Sequence, residues 1–407
     1  MEHIEERNLK FWGHNCFSIE HDGTILITDP WFSKSGAFFG SWFQYPKNHH
    51  LQDKINEMIN NYENSFIFIS HEHQDHYDKS FLHSINKSTT ILIPSYRDKT
   101  FKKDFESLDL NVIEIQDIQK FNLSDNFWIK PYTSHIGINH DSAILISTKD
   151  FNFFNQNDCK IFDRLPEIDI DIDYYSVQFS GATWHPSNFF MTDEQKKEIS
   201  HNKVNNKLNS VLNGINILRP KYFIPAAGPA IFPYLDGSLS YGKDNIFIHQ
   251  DQLNKYLQDN NIYNNIYLKP GDYLSSEKSN PIIPPTTIEE INNYKIDTID
   301  IWENLNIKFD RKLLEDVIIK RLDKINDIDI IDVPVLILNY SNTHNNKDYD
   351  NDKKIIIDIS NKTLLNKFKY DSPYEEIIAD EKYFALMQSG ERWQNIYLSL
   401  RARVLRK

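Results

Sequence analysis

Cysteine is scarce in this chain: Cys16 and Cys159 are the only two among 407 residues. Two thiols so far apart in sequence predict no disulfide framework, and they favour a reduced, cytoplasmic setting. The first residues of the chain are rich in charge and lack the apolar core of a secretory signal peptide. No stretch approaches the roughly 18 consecutive apolar residues of a membrane-spanning helix, so we expect no membrane partner.

Basic residues are also fewer than acidic ones. The chain has 45 Lys and Arg against 58 Asp and Glu, which gives a net charge of −13. An acidic chain gains no affinity for nucleic acid from counterion release, so a general DNA- or RNA-binding role is disfavoured. A local basic pocket for a small, anionic substrate stays compatible with this charge, and Lys47, Arg164 and Lys221 are candidates for it.

The chain has enough apolar and aromatic residues, 40% and 13%, for a sizeable core. Its length suits one large domain with an appendage, or two domains. Serine, lysine, asparagine and three prolines cluster at residues 275–287. This cluster predicts a boundary that separates a catalytic domain, residues 1–275, from an α+β region, residues 276–407.

Alternation and turn signals predict strands at residues 9–12, 16–20 and 24–28, followed by an aromatic loop at 31–46 that suits a pocket wall. A continuous apolar run at residues 66–69 predicts a strand buried on both faces. Residues 192–218 have the cap and spacing of a long helix. The part from Pro373 onward is predicted helical, with residues 401–407 as its solvated basic end.

Four side chains that can bind metal follow the buried strand within six residues: His71, His73, Asp75 and His76. Neutral imidazoles and carboxylates are ligands for zinc, iron and manganese. A loop at the end of a strand can direct alternate side chains into one cavity. A solvated histidine-rich loop is the plainer alternative, but the spacing and the placement after a buried strand favour a metal site.

A site for two metal ions needs further ligands from later strand ends. His135 follows one predicted strand, and Asp158 follows another at a position from which its carboxylate can bridge two cations. His140 is the rival to His135, because both lie between the same two predicted strands. Each of these residues alone is compatible with a surface position.

These residues resemble the metallo-β-lactamase superfamily, and within it the catalytic region of CMP-N-acetylneuraminate hydroxylase and its relatives. The metal motif at residues 71–76 carries the likeness to the superfamily. Weaker matches to the hydroxylase occur in the same order in both sequences. In this chain they are residues 14–16, 29–31, 157–159, 164–166, 179–182, Pro186, 225–228, 373–377, Trp393, Leu400 and Arg403.

The resemblance implies an αββα sandwich with metal ions at one edge. It implies that His71, His73 and His135 hold one ion, that Asp75 and His76 hold the second, and that Asp158 bridges them. Many superfamily members carry another histidine near the strand that here ends at Pro225, where this chain has Ala226-Ala227-Gly228. The second ion is then short of a protein ligand. His185 is the candidate to compensate, with a role in the pocket wall as its alternative.

A second difference from the hydroxylase concerns the source of electrons. The hydroxylase carries a Rieske iron–sulfur domain, which needs two cysteine and two histidine ligands. The two distant cysteines of this chain predict no such cluster. The resemblance therefore implies that an oxygenase of this kind takes electrons from a separate electron-transfer protein or from its substrate.

Two enzymatic functions are consistent with this site. The favoured one is a diiron oxygenase, an oxidoreductase of the monooxygenase type that uses O2 to hydroxylate or oxidise a small polar metabolite. The alternative is a hydrolase of a phosphodiester, lactone or amide, with two zinc or manganese ions. In it, Asp75 or Asp158 would orient a metal-bound hydroxide. A binding protein without activity is a third interpretation, which the complete motif disfavours.

Overall fold

The computed structural model describes residues 9–134, 140–274, 282–324, 333–341, 353–370 and 372–407. Within these residues the chain forms two compact units. The first contains residues up to Ala37, Trp42–Ala182 and His201–Thr298, and the second contains Phe38–Ser41, Thr183–Ser200 and Ile299–Lys407. The predicted boundary at residue 275 stays a prediction, because residues 275–281 lie outside the described part of the chain.

Strands make up the centre of the first unit. They are β1 (Leu9–Gly13), β2 (Cys16–His21), β3 (Thr24–Thr28), β4 (Phe43–Gln44), β5 (Asn64–Phe68), β6 (Thr90–Pro94), β7 (Asn111–Ile115), β8 (Phe121–Ser124), β9 (Phe127–Thr133), β10 (Ser142–Ser147), β11 (Asn152–Asn157), β12 (Tyr174–Gln178), β13 (Tyr222–Ala226) and β14 (Ala230–Ile231).

Helices precede and follow these strands. They are α1 (Gln52–Asn60), α2 (Lys79–Ser84), α3 (Thr100–Lys103), α4 (Asp193–Leu218), α5 (Ser238–Tyr241), α6 (Gln250–Asp259) and α7 (Ile288–Asp297). The predicted helix at 192–218 is confirmed within one residue. Among the described residues, no helix is both long enough and apolar enough to cross a membrane.

Two six-stranded sheets organise the first unit. One has the order β1-β2-β3-β5-β6-β7, and the other has the order β13-β12-β11-β10-β9-β8. In the first sheet the pairs from β3 to β7 are parallel. Their carboxyl ends therefore lie at one edge, the edge at which parallel sheets place ligands.

Alternating side chains put apolar groups on both faces of each sheet. In β3, Leu26 packs into a core shared with the second sheet, whereas Ile25 and Ile27 face a core that includes α1 and α2. A third core lies between the second sheet and helices α4 and α6. The layers are therefore helix, sheet, sheet and helix, which confirms the predicted αββα sandwich.

The second unit has its own sheet and core. Its strands are β15 (Val335–Asn339), β16 (Lys354–Asp358), β17 (Thr363–Leu365), β18 (Tyr374–Ile378) and β19 (Arg403–Arg406), in the order β17-β16-β15-β18-β19. Its helices α8 (Arg311–Leu322), α9 (Glu381–Gln388) and α10 (Trp393–Leu398) share an apolar core with this sheet.

The prediction that the chain is helical from Pro373 onward is wrong at both ends. Residues 374–378 form a strand because they pair with β15 and β19, and these long-range partners leave no local signal. The predicted solvated tail is also wrong for Arg401. Its guanidinium lies over the ring of Trp302, at 4.6 Å, and the side chain is 11% exposed.

Gly13 shows how tightly the turn between β1 and β2 is held. Its φ is +115°, and a Cβ added there would lie 2.2 Å from Oε1 of Gln44. We predict that Gly13→Ala lowers the free energy of unfolding by about 2–3 kcal/mol, since it combines strain with overlap. Gly23 is the matched control, because it has φ +69° but nothing within 4 Å.

Urea denaturation measures both variants. Gly23→Ala should cost about 1 kcal/mol, the strain of a left-handed residue alone. Equal losses for the two variants would show that contact with Gln44 does not constrain this turn.

Candidate metal centre

The residues of the metal motif come together because two parallel strands end side by side. Strand β3 runs parallel to β5, so Asp29 after β3 lies near the segment 70–76 after β5. Asp158 follows β11 of the second sheet. The site thus lies at an edge of both sheets, with a backbone fixed by strand pairing.

One group of candidate ligands contains His71, His73 and Asp158. One ligand atom from each lies within 4.8 Å of the others. Nε2 of His71 is 2.8 Å from Nδ1 of His73 and 3.8 Å from Oδ2 of Asp158. Two ligands of one tetrahedral ion are about 3.4 Å apart when each bond is about 2.1 Å long, so these separations suit a shared cation.

A second group contains His14, Asp75 and His76, again with one ligand atom from each within 4.8 Å. Oδ2 of Asp75 is 3.2 Å from Nε2 of His14 and 3.8 Å from Nε2 of His76. The rings of His14 and His76 meet edge to face at 5.2 Å. This set of two imidazoles and a carboxylate also suits a divalent cation.

Asp158 lies between the two groups. Its Oδ2 faces Nε2 of His71 at 3.8 Å, and its Oδ1 faces Nε2 of His76 at 3.6 Å. One carboxylate therefore presents a different oxygen to each group. This is the placement that a bridging ligand requires.

Unpaired polar atoms show that the residues present fit two metal ions. Within the described residues, four buried atoms of the site have no hydrogen-bond partner: Nε2 of His14, Oδ1 of Asp75, Nε2 of His76 and Oδ1 of Asp158. Leaving a buried polar atom unpaired costs about 1–3 kcal/mol. The four atoms belong to residues of the two groups, so cations bound there would give such atoms partners.

The protonation of the site follows from its burial and charge. Burial lowers the pKa of His71 to about 3, so its imidazole is neutral. Burial alone would raise the pKa of Asp75, but His76 and His14 outweigh it and hold this pKa far below its usual range. The pKa of Asp158 is lowered in the same way by His76 and His71.

His76 has the opposite shift. Burial alone would lower its pKa, but the carboxylates of Asp158, Asp75 and Asp29 raise it to about 10. A positive charge at this place is therefore strongly favoured. A proton on His76 compensates part of the negative charge of the three carboxylates, and a divalent cation would compensate more of it.

Two side chains orient the histidines from behind. Asp29 accepts hydrogen bonds from the backbone N–H of Ser70, at 2.7 Å, and from Oγ of Ser70, at 2.8 Å. Its Oδ2 also lies 3.0 Å from Nδ1 of His76, so Nε2 of His76 faces the site. Oγ of Ser70 lies 2.9 Å from Nδ1 of His71. Such partners fix the tautomer and ring orientation of metal-binding histidines.

The remaining predicted ligands have other positions. His135 lies outside the described residues, so its role stays a prediction. His140 stacks on Tyr96 at 4.5 Å, and its Nδ1 is 3.2 Å from Oε2 of Glu72. His185 belongs to the second unit, where its ring meets that of Phe189 at 4.7 Å. Among the described residues, neither His140 nor His185 joins the two groups.

The three cations proposed for an anionic substrate each have acidic partners. Arg164 contacts Asp117 and Glu167, Lys47 lies 2.6 Å from Asp297, and Lys221 contacts Asp173. Their charges are already compensated within the protein.

Sequence reasoning did not identify His14 or Asp29 as site residues. Both occur in segments that contributed to the family resemblance, but a lone histidine in a hairpin and an aspartate before proline are common in turns. The signal that could have found Asp29 is its place after a buried strand that is parallel to the strand carrying the motif. Only the tertiary structure brings His14 to Asp75.

Comparison with known proteins shows what part of this chain is similar to. Residues 8–136 match the family model of the β-lactamase superfamily domain, which includes the motif at 71–76. Over 232 residues the chain is 28% identical to a protein of Mycolicibacterium smegmatis described as a Rieske 2Fe-2S iron–sulfur protein. That match covers 54% of this chain and 43% of the relative, so the chain spans less than half of the relative's length.

Solved structures that are similar to this chain share little sequence identity with it. The CmlA β-hydroxylase is 15% identical, with a TM-score of 0.43 over 65% of this chain and 53% of that chain. The metallo-β-lactamase fold protein YhfI of Bacillus subtilis is 11% identical, with a TM-score of 0.43, and the match covers 65% of this chain and 97% of that chain.

Removing a central histidine tests the assignment of the metal site. We predict that His73→Ala removes most bound metal and all activity, because it deletes one of the three ligand atoms in the first group. His49→Ala is the control, since His49 lies beside Asp297, outside both groups. Elemental analysis of the purified proteins gives the metal content. A full metal complement in His73→Ala would disprove the assignment.

Changing Asp29 tests the orientation of His76. We predict that Asp29→Asn weakens metal binding about 10- to 100-fold, because an amide has only one accepting oxygen. It cannot serve both the N–H of Ser70, which bonds to Oδ1, and His76, which lies against Oδ2. Competition with a chromophoric chelator measures the affinity, and circular dichroism checks folding. Unchanged affinity in a folded variant would show that Asp29 supports only the backbone.

Proposed function

Since residues 8–136 match the β-lactamase superfamily domain, we propose that this chain is a metalloenzyme with two metal ions. The observation that carries the proposal is the position of Asp158, whose two oxygens face His71 and His76. In this proposal His71, His73 and His135 hold one ion. Asp75 and His76 would hold the second ion, and Asp158, which faces both groups, would be shared by the two ions.

We propose iron as the metal and oxidation of a small polar metabolite by O2 as the reaction. The support is the M. smegmatis relative, which is described as a Rieske iron–sulfur protein and is similar to this chain over half of the chain's length. A Rieske cluster is a redox centre, and an enzyme that reduces O2 needs an electron source. This chain would then receive its electrons from a separate electron-transfer protein.

Bound iron would supply a redox-active centre with open positions for O2. The surrounding residues have definite tasks. Asp75 and Asp158 stay ionised, and His71 stays neutral, so each presents a lone pair. His71 and His76 are almost fully buried, which excludes water from the metal side of the site.

A hydrolase is the second candidate, and the family match favours it. The β-lactamase superfamily model covers the whole motif at residues 71–76, and the His/Asp ligand set suits zinc as well as iron. In this case Asp75 or Asp158 would orient a metal-bound hydroxide. This reaction needs no electron donor.

Metal content and oxygen consumption distinguish the two functions. We predict that protein purified without chelators contains two irons per chain, seen as an interacting pair by Mössbauer spectroscopy. The reduced protein should consume O2. Asp158→Asn should lower the iron content, because an amide oxygen is a weaker iron ligand than a carboxylate.

A protein that contains zinc, consumes no O2 and cleaves phosphodiesters or lactones under argon would contradict the oxygenase proposal. It would establish the hydrolase, since the reaction would then proceed without electrons or oxygen.

A further inference from the structure

His14 lies in the turn between β1 and β2, yet its imidazole is directed into the protein. The side chain is 6% exposed, and its Nε2 is buried without a hydrogen-bond partner among the described residues. A histidine in a hairpin turn ordinarily extends into water. Burial of an unpaired ring nitrogen is unfavourable and calls for a ligand.

The backbone around His14 holds this orientation. Gly13 has a φ of +115° and His14 a φ of 53°, both in the region that side chains disfavour. The carbonyl oxygen of His14 accepts a hydrogen bond from the N–H of Ala227, at 3.0 Å. The turn is therefore fixed to the segment that follows β13, and the ring is held before any ligand arrives.

The surroundings of Nε2 define the chemistry of that ligand. Oδ2 of Asp75 lies 3.2 Å from Nε2 of His14, and Nε2 of His76 lies 3.8 Å from the same oxygen. Two nitrogen lone pairs and a carboxylate around one point form a cation site. The ring of Trp31 meets that of His14 edge to face at 5.1 Å and limits its rotation.

The segment after β13 contributes no such group. Residues 226–229 are Ala, Ala, Gly and Pro, none of which has a side chain that can bind metal. The hydrogen bond from Ala227 places this segment directly behind His14. Within the described residues, His14 is therefore the third member of the group that contains Asp75 and His76.

We propose that His14 is a metal ligand and completes the site of the second ion together with Asp75 and His76. The inference rests on the proposed dinuclear centre and adds a residue to it. Three protein ligands, with the bridging Asp158, leave room for substrate or water on this ion.

A hydrogen bond from His14 to Asp75 is the competing role, and two substitutions separate it from ligation. His14→Gln keeps a side chain that can donate a hydrogen bond to Asp75 but removes the imidazole. His14→Ala removes both functions. His21→Gln is the matched control, because His21 is also buried, is 8% exposed, and lies at the end of β2 outside both groups.

Zinc titration of metal-free protein against a chromophoric chelator counts the ions and measures both affinities. We expect two tight zinc ions in the unaltered protein and in His21→Gln. His14→Ala and His14→Gln should each keep one tight ion, and the second should be weakened more than about 100-fold. Cobalt spectra should show one altered site, and circular dichroism should show an unchanged fold.

Two other outcomes would overturn the inference. Tight binding of both ions by His14→Gln would mean that His14 acts through a hydrogen bond to Asp75. Tight binding of both ions by His14→Ala would mean that it has no role in the site. Failure of the unaltered protein to bind two ions would instead disprove the proposed dinuclear centre, and the inference with it. If His14→Ala does not fold, His14→Gln decides.

Discussion

The carboxylate of Asp29 is the interaction on which the site depends. It lies at the end of β3 and accepts two hydrogen bonds from Ser70 at the end of the neighbouring strand β5. Its second oxygen also lies against His76. One buried acid thus joins two parallel strand ends and directs a ring nitrogen into the centre. The pairing of β3 with β5 brings these groups within reach, so the sheet and the site are coupled.

Charge explains why so many polar groups tolerate burial here. Three carboxylates, those of Asp29, Asp75 and Asp158, raise the pKa of His76 to about 10, while the imidazoles hold the pKa values of Asp75 and Asp158 below their usual range. Acids and imidazoles compensate one another, but several of their atoms remain unpaired in the described structure. Metal ions would supply the missing partners and much of the stability of this edge.

Local patterns predict the first unit well and the second less well. The apolar run at 66–69 and the motif at 71–76 are adjacent in sequence. The position of the motif at the end of a buried strand could therefore be inferred. Strand β18 could not be, because β15 and β19 make it a strand. His14 and Asp29 were missed for the same reason: each becomes part of the site through contacts with residues more than 40 positions away. The split of His71 and His76 between two groups, with Asp158 between them, was implied by the family resemblance alone.

The central claim is that Asp158 unites two histidine groups into one dinuclear centre. Anomalous diffraction from crystals of the metal-loaded protein tests it most directly, since the anomalous signal locates each ion by itself. The account predicts two peaks about 3.5–4 Å apart, on either side of the Asp158 carboxylate. A single peak, or two peaks of which only one contacts Asp158, would contradict it.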